Sequence, residues 1–300
     1  MATSSLIRAT LPSESELQSF ASAAAQLLID RQARIQGTRT VKRRAGVGIQ
    51  HFDHRDYAPG DEVRHIDWRQ TARRRQPIVR RFESESVSDW TIVLDASSSM
   101  AANNAAKWQA AVRMAAAMSY ALLQLGHRVG LLVFGGRLLS HCPRGRGQPH
   151  YAMIARQLAT LRPAPKGERS ELGVCVRHLH GAASVLAISD FLADDEMRRD
   201  LAAILQRCTA LHLMQVSDRE ETRLLSSTED VDLEDVETAE RMPWHASEHA
   251  GTLAARERDA MTARLRSFCR RSSVAFSEWD ITQPWQQVLL QHLVRARSNC

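Results

Sequence analysis

The densest local chemistry in the chain is Asp95-Ala96-Ser97-Ser98-Ser99, a carboxylate with hydroxyls two and four residues on. It directly follows the apolar run Trp90 to Leu94 and precedes a long alanine-rich segment. Carboxylate and hydroxyl oxygens suit a hard cation such as Mg²⁺ or Mn²⁺, which usually keeps part of its water shell. One carboxylate and two neutral hydroxyls leave the charge of such an ion unsaturated. The set therefore predicts an open position that an acidic group from a partner can fill. Ser170, following the loop Lys166 to Arg169, and Asp190, in Ile188-Ser189-Asp190-Phe191, add two more oxygen donors. The plainer reading is a turn whose Asp and Ser cap the next helix. Asp190 equally fits an N-cap for a helix starting near 195.

Other chemistry is less well provided for. A phosphoryl-accepting Asp95 would want a second carboxylate two residues on as acid or base, and Ser97 stands there instead. The chain has no G-x-S-x-G elbow, no Walker A loop and no G-x-G-x-x-G opening a helix. His51, Asp53, His54, Asp56, His65 and Asp67 are residue types that ligate zinc or iron, but they form no H-E-x-x-H or related pattern. Their alternation with basic residues predicts ion pairs and hydrogen bonds fastening this segment to a sheet. Trp68 beside Arg69 reads either as a stacked pair or as an aromatic anchor in a core. The expectation is a binding protein, not an enzyme. The rivals are a metal-dependent phosphoesterase using the Asp95 corner, an arginine-rich nucleic-acid binder, and a metal-free scaffold.

The elements that must position these residues are legible as hydrophobic runs. Residues 13–30 form a helix entered at Ser13, with Leu17, Phe20, Ala21, Ala24, Leu27 and Leu28 on one stripe. Strands are predicted at 90–94, 128–134, 184–189, 210–216 and 273–276, with a hairpin through 138–141. Helices are predicted at 106–125, stopped by Gly126, and at 149–161, 170–180, 195–207, 247–271 and 285–297. Ser170 is the expected cap of its helix. An acidic insertion, 218–240, reads as a solvated loop unless it packs as a hairpin. Strands alternating with helices over roughly 200 residues imply a mostly parallel sheet with helices on both faces.

Bulk composition agrees. Of 300 residues, 44% are hydrophobic and 25% charged, which is ordinary for a globular chain. No stretch approaches the roughly 18–20 apolar residues of a membrane helix, and residues 1–22 lack the features of a secretory signal. A cytoplasmic location is expected. Five scattered cysteines (Cys142, Cys175, Cys208, Cys269, Cys300) argue for reduced, mostly buried thiols over a disulfide framework or a cysteine zinc site. The net charge is +6, but 40 basic residues face 34 acidic ones. The basic runs 39–44 and 69–81 have no interleaved aromatic platforms, so nucleic-acid binding is not favoured. Lysine contributes only Lys42, Lys107 and Lys166 to the basic total.

Taken together, D-x-S-x-S after a strand, a Ser before a later helix and an Asp after the next strand resemble the metal-ion-dependent adhesion site of von Willebrand factor A domains. Upstream, Phe52-Asp53-His54-Arg55-Asp56-Tyr57-Ala58-Pro59-Gly60-Asp61 and Val63-Arg64-His65-Ile66-Asp67-Trp68 resemble the signature of the domain-of-unknown-function 58 family. Val129-Gly130-Leu131-Leu132 and Ile188-Ser189-Asp190-Phe191 are similar to that family too, and the resemblance runs from about residue 45 to 295. It implies a three-layer α/β/α fold of von Willebrand factor A type over 86–300. A signature segment, 45–85, would pack on that core, and 1–44 would be an N-terminal helix and basic linker. It also implies Mg²⁺ or Mn²⁺ held by Asp95, Ser97, Ser99, Ser170 and Asp190. The implied partner is a MoxR-type AAA+ ATPase, the chain serving as an adaptor to a client protein. Ser170 stands where many such sites have Thr, and Phe191 where Gly is common after the Asp. Many members begin with membrane helices, and a soluble variant is expected here.

Overall fold

The computed structural model describes residues 10–35, 50–57, 66–74, 76–83, 88–164, 170–192, 195–221, 231–234, 241–244 and 248–298. The chain divides into two compact units, Gln32–Val87 and Met1–Arg31 together with Ser88–Cys300.

In the smaller unit, β1 (Gln50–Asp56) pairs antiparallel with β2 (Ile78–Glu83), with an irregularity between His51 and Asp53. Between them lies the short helix α2 (Trp68–Arg74). Asp67 caps it, one carboxylate oxygen accepting from the Arg69 and Gln70 amides at 3.1 Å each. This aspartate thus has a local structural task, satisfying amides that no helical carbonyl reaches. Trp68 is 64% exposed and is not the core anchor that its aromatic ring suggested. The side chains of His51, Asp53, His54 and His65 lie outside the described residues.

The larger unit is built on a six-stranded sheet. Its strands are β3 (Asp89–Asp95), β4 (Arg128–Phe134), β5 (Leu138–Gly145), β6 (Ala182–Ser189), β7 (Cys208–Ser217) and β10 (Ala275–Asp280), in the order β10-β7-β6-β3-β4-β5. All neighbours are parallel except β4 and β5, which form an antiparallel hairpin. A separate hairpin begins within the acidic insertion with β8 (Val231–Glu234) and closes just beyond it with β9 (Arg241–Trp244), so that stretch is not loop throughout.

Alternation along each strand sends side chains to opposite faces, and both faces are covered. Ile92, Leu94, Val129, Leu131, Val133, Leu186 and Ile188 enter one core with helices α1 (Glu14–Ile35), α3 (Ala102–Gln124), α4 (Gly147–Thr160) and α7 (Trp285–Ser298). Val93, Leu132, Phe134, Val185, Ala187 and Leu213 enter the other. There they meet a 3₁₀ segment at Leu172–His178 and helices α5 (Asp195–Leu205) and α6 (Glu248–Arg271). The architecture is a six-stranded, mostly parallel sheet flanked by helices on both faces. Among the described residues no helix is long and apolar enough to cross a membrane. Cys142, Cys175 and Cys269 are buried and Cys208 is half-buried, all as free thiols; Cys300 lies outside the described residues.

Helix boundaries follow local chemistry. Ser13 and Glu16 form a reciprocal capping box at the start of α1, with Ser13 N–H to Glu16 Oε2 at 2.8 Å and Glu16 N–H to Ser13 Oγ at 3.3 Å. At the end of α3, Gly126 takes φ +77°, while His127 N–H reaches the Leu122 carbonyl and Gly126 N–H the Leu123 carbonyl. That is a Schellman closure, which favours glycine at the left-handed position. The last strand begins at Ala275, two residues later than its apolar pattern suggested. Ser273 is left-handed (φ 53°) and Val274 N–H still bonds the Cys269 carbonyl, so α6 is closing where a strand was expected.

The N-terminal helix is part of this core. Phe20 is 2% exposed and tilts against Trp285 with ring centroids 5.4 Å apart, and Arg113 pairs with Glu16 at 2.9 Å. Phe20→Ala is therefore expected to cost about 3–5 kcal/mol, the range for removing a buried aromatic. Urea unfolding of the whole chain reads this out; a loss under about 0.5 kcal/mol, typical of surface positions, would mean that α1 is only an appendage.

Candidate functional site

Numbered along the chain, the six strands of the sheet run in the 3-2-1-4-5-6 order of doubly wound folds, with the third strand reversed. In such sheets ligands bind beyond the carboxyl ends of the strands where the winding direction changes. Here that place is the gap between the ends of β3 and β6, and Asp95, Ser189 and Asp190 stand at it.

Asp95 is wholly buried and closes β3. Its Oδ1 accepts the Ser97 amide at 2.8 Å, an Asx-type turn that bends the chain out of the strand. A 3₁₀ turn, Ser98–Ala101, follows and brings the hydroxyls of Ser97 and Ser99 to 3.0 Å from each other. The other carboxylate oxygen, Oδ2, accepts two hydroxyls, Ser170 at 2.9 Å and Ser189 at 2.6 Å. Ser170 does not cap a helix. The segment after it is a 3₁₀ turn without a side-chain cap, and the hydroxyl is spent on Asp95. Backbone bonds from Ala164 N–H to the Ala96 carbonyl and from Glu171 N–H to the Gly135 carbonyl hold this crossing against the ends of β3 and β4.

Asp190 makes a different set of contacts. Its Oδ2 lies 3.0 Å from the ammonium of Lys107, and its backbone carbonyl accepts Gln215 Nε2 at 3.1 Å. Lys107 is 2% exposed and also lies 2.8 Å from Glu221 Oε1; Arg258 stands 4.0 Å from Glu221 Oε2. Phe191, where the resemblance leads one to expect glycine, adopts a left-handed backbone (φ 46°) while its ring is buried. Its N–H donates to Ser189 Oγ at 2.9 Å, so the same hydroxyl that serves Asp95 also fixes this turn. Left-handed geometry in a non-glycine residue costs about 1–3 kcal/mol and tends to persist where surroundings enforce it.

The electrostatics follow from burial. Asp95 is pushed up from the ordinary 3.8 to about 6, first by desolvation and then by the nearby charge of Asp190. The Ser189 hydroxyl and the Ser97 amide pull the other way without cancelling it. Desolvation works against the Lys107 ammonium, but Asp190 and Glu221 outweigh it and hold Lys107 above its usual value. Cys175, also buried, is pushed well up by desolvation and by Asp95, so it is an inert thiol at this corner.

Of the residues singled out by spacing, the structure links Asp95, Ser97, Ser99 and Ser170 through direct hydrogen bonds, and Asp190 reaches Asp95 only through its charge. Spacing did not reveal Ser189, Lys107, Glu221 or Gln215. Ser189 adjoins Asp190 in sequence, and Lys107 is a rare lysine in a chain whose cations are almost all arginine. Among the described residues no group of three His, Cys, Asp or Glu side chains is placed to hold a metal ion. An ion here must draw on the hydroxyls, and an all-oxygen set of this kind fits a hard divalent cation.

Fold and corner define a class of protein: an open, mostly parallel α/β sheet with a buried carboxylate and a collar of hydroxyls where its winding reverses. The chain belongs to the family described as "Protein of unknown function DUF58", whose model matches residues 53–261. It is similar to the uncharacterized protein Rv1480 of Mycobacterium tuberculosis, 32% identical over 199 residues, 64% of this chain and 62% of that protein. It is also similar to the uncharacterized protein YeaD of Bacillus subtilis, 25% identical over 195 residues, 63% of this chain and 43% of that one. The match thus spans somewhat less than two thirds of the first of these relatives and less than half of the second. Among solved structures, a conserved hypothetical protein BatB from Bacteroides thetaiotaomicron aligns over 71% of this chain and 100% of its own at 14% identity, TM-score 0.42. The pilus adhesin SpaC from Lactobacillus rhamnosus GG aligns over 72% and 30% at 9% identity, TM-score 0.43. Scores this low do not equate the folds.

The raised Asp95 has a consequence for stability. A carboxyl whose folded pKa exceeds its unfolded value holds its proton more tightly when folded, so stability is lost as pH rises through that window, from near 4 to about 6. In chelator-treated buffer near pH 7, Asp95→Asn is expected to be about 1–3 kcal/mol more stable than the wild type, the gap closing towards pH 4. Urea midpoints across this range measure it. A variant less stable than the wild type at neutral pH would mean that the buried charge is more than compensated.

Proposed function

We propose that the protein is a non-enzymatic, metal-dependent protein-binding adaptor whose larger unit is of von Willebrand factor A type. The observation that carries this reading is the Asp95 corner. A buried carboxylate, the paired hydroxyls of Ser97 and Ser99, and the Ser170 hydroxyl converge where the winding of the sheet reverses, with the carboxylate of Asp190 close enough to raise the Asp95 pKa. Asp95, Ser97, Ser99, Ser170 and Asp190 would hold Mg²⁺ or Mn²⁺. Bound there, the ion would supply a Lewis-acidic position for a carboxylate of a partner protein.

The chain's own residues support recognition better than turnover. The hydroxyls around Asp95 are engaged with its carboxylate or with each other, and no histidine or lysine among the described residues is hydrogen-bonded to one of them to activate it as a nucleophile. The family resemblance implies a MoxR-type AAA+ ATPase as the working partner, with the adaptor coupling it to a client in assembly, maturation or cofactor insertion.

Calorimetric titration of Mg²⁺ or Mn²⁺ into the wild type and Asp95→Ala tests the reading. Saturable binding that Asp95→Ala weakens by about 100-fold or more is expected, since each lost hydrogen-bonded charge at such a site is worth several kcal/mol. A wild type that binds neither ion at millimolar concentration, with or without an acidic peptide, would overturn it. Metal-dependent turnover of phosphate esters lost in Asp95→Ala would replace it with a phosphoesterase.

A further inference from the structure

We propose that Lys107 is a tethered counter-ion that competes with the metal for Asp190, so that the corner always carries a cation, its own or a divalent one. The inference rests on the metal-binding reading and concerns what must happen inside the protein when the ion arrives.

Lys107 is almost completely buried, yet it is not embedded in apolar surroundings. Its ammonium bridges two carboxylates, Asp190 Oδ2 at 3.0 Å and Glu221 Oε1 at 2.8 Å. A compact ammonium on a flexible stem suits this position between two acids, whereas arginine's planar fork would bind one of them edge-on. The chain uses lysine only three times among 40 basic residues, and this is the one lysine among the described residues. Without the ammonium, Asp190 would present an unscreened buried charge to Asp95 across the gap between β3 and β6. Lys107 therefore does in the resting protein what a metal ion would do in the loaded one.

The two cations cannot share Asp190 at full strength. A divalent ion drawing on that carboxylate would face an ammonium within hydrogen-bond distance of the same group, and like charges at such range repel strongly in a buried site. Glu221 offers the way out. It already touches the ammonium, so Lys107 can give up Asp190 while keeping one acidic partner and without entering bulk water. Space exists for the movement: Lys107, Asp190, Gln215, Asp218 and Glu221 line a cleft of about 510 Å³ opening at the ends of β6, β7 and β10. Metal binding is then an exchange, in which the ion takes Asp190 and the ammonium retires to Glu221.

Two substitutions in this one ion-pair set should move metal affinity in opposite directions. Lys107→Met keeps the length of the side chain and removes the competitor, and is expected to bind Mn²⁺ about tenfold or more tightly than the wild type. Glu221→Gln removes the refuge, so that the ammonium stays on Asp190, and is expected to bind Mn²⁺ several-fold more weakly. Calorimetry gives the affinities, and the rise in thermal midpoint with Mn²⁺ over an equal ionic strength of NaCl gives a second readout. That rise should be largest in Lys107→Met. A merely structural ion pair would weaken binding in both variants alike, and that result, or equal affinity in all three proteins, overturns the proposal and leaves the metal site standing. If Lys107→Met does not fold by circular dichroism, Glu221→Gln decides: weaker binding supports the exchange and unchanged binding overturns it. Absence of Mn²⁺ binding in the wild type and in Lys107→Met removes the metal reading and this inference together.

Discussion

A carboxylate sealed from water at the end of the central strand is the constraint around which the larger unit is organised. Burying a charge is tolerable only where donors are supplied in its place. Asp95 receives them from three directions: its own turn through the Ser97 amide, the crossing after α4 through Ser170, and the end of β6 through Ser189. Those donors lie far apart in sequence. They meet only because the chain leaves β3 to one side, forms β4 and β5, and returns to lay β6 against the opposite edge of β3. Fold and corner are therefore a single arrangement, and a change in the register of β6 against β3 would remove Ser189 from its partner.

The same corner is deliberately expensive. It brings together, from distant parts of the chain, a carboxyl of raised pKa, a left-handed aromatic residue and a fully buried lysine. Sites that violate the rules of stable packing in several ways at once are more often functional than accidental, since nothing in the rest of the structure asks for them. The two apolar layers on either side of the sheet provide the stability that lets such a corner persist.

Much of the architecture was legible because buried parallel strands announce themselves. Trp90–Leu94, Arg128–Phe134 and Ser184–Ser189 are short, branched and apolar, and each lies within an observed strand. Gly126 stops α3 as its type suggests, and Ser13 opens α1. The misses have identifiable causes. The last strand carries Ser277, Glu278 and Asp280 around a single Trp279, and this polar half at the sheet edge was overshadowed by the apolar run Val274-Ala275-Phe276 at its start. Ser170 has the look of a cap because serine is a common one, and only the fold reveals that Asp95 claims its hydroxyl. Lys107 sits in a helix otherwise rich in alanine, where a single lysine reads as a solvent-facing residue. Its partners, Asp190 and Glu221, lie 83 and more residues away, and no local pattern connects them. Pairings across such distances are what a sequence read by periodicity cannot supply.

Phe191 carries an implication for how this corner can change over time. Its backbone favours glycine, and its ring is held in the core beside α5 and the 3₁₀ segment that follows Ser170. Glycine cannot be reached from a phenylalanine codon by a single base change. One intermediate on the way is valine, whose branched side chain is poorly tolerated in a left-handed conformation, and another is cysteine, which would surrender most of the ring's contacts. The aromatic residue is thus lodged in a local optimum, because exchanging it for glycine takes two base changes and each intermediate loses either backbone fit or packing.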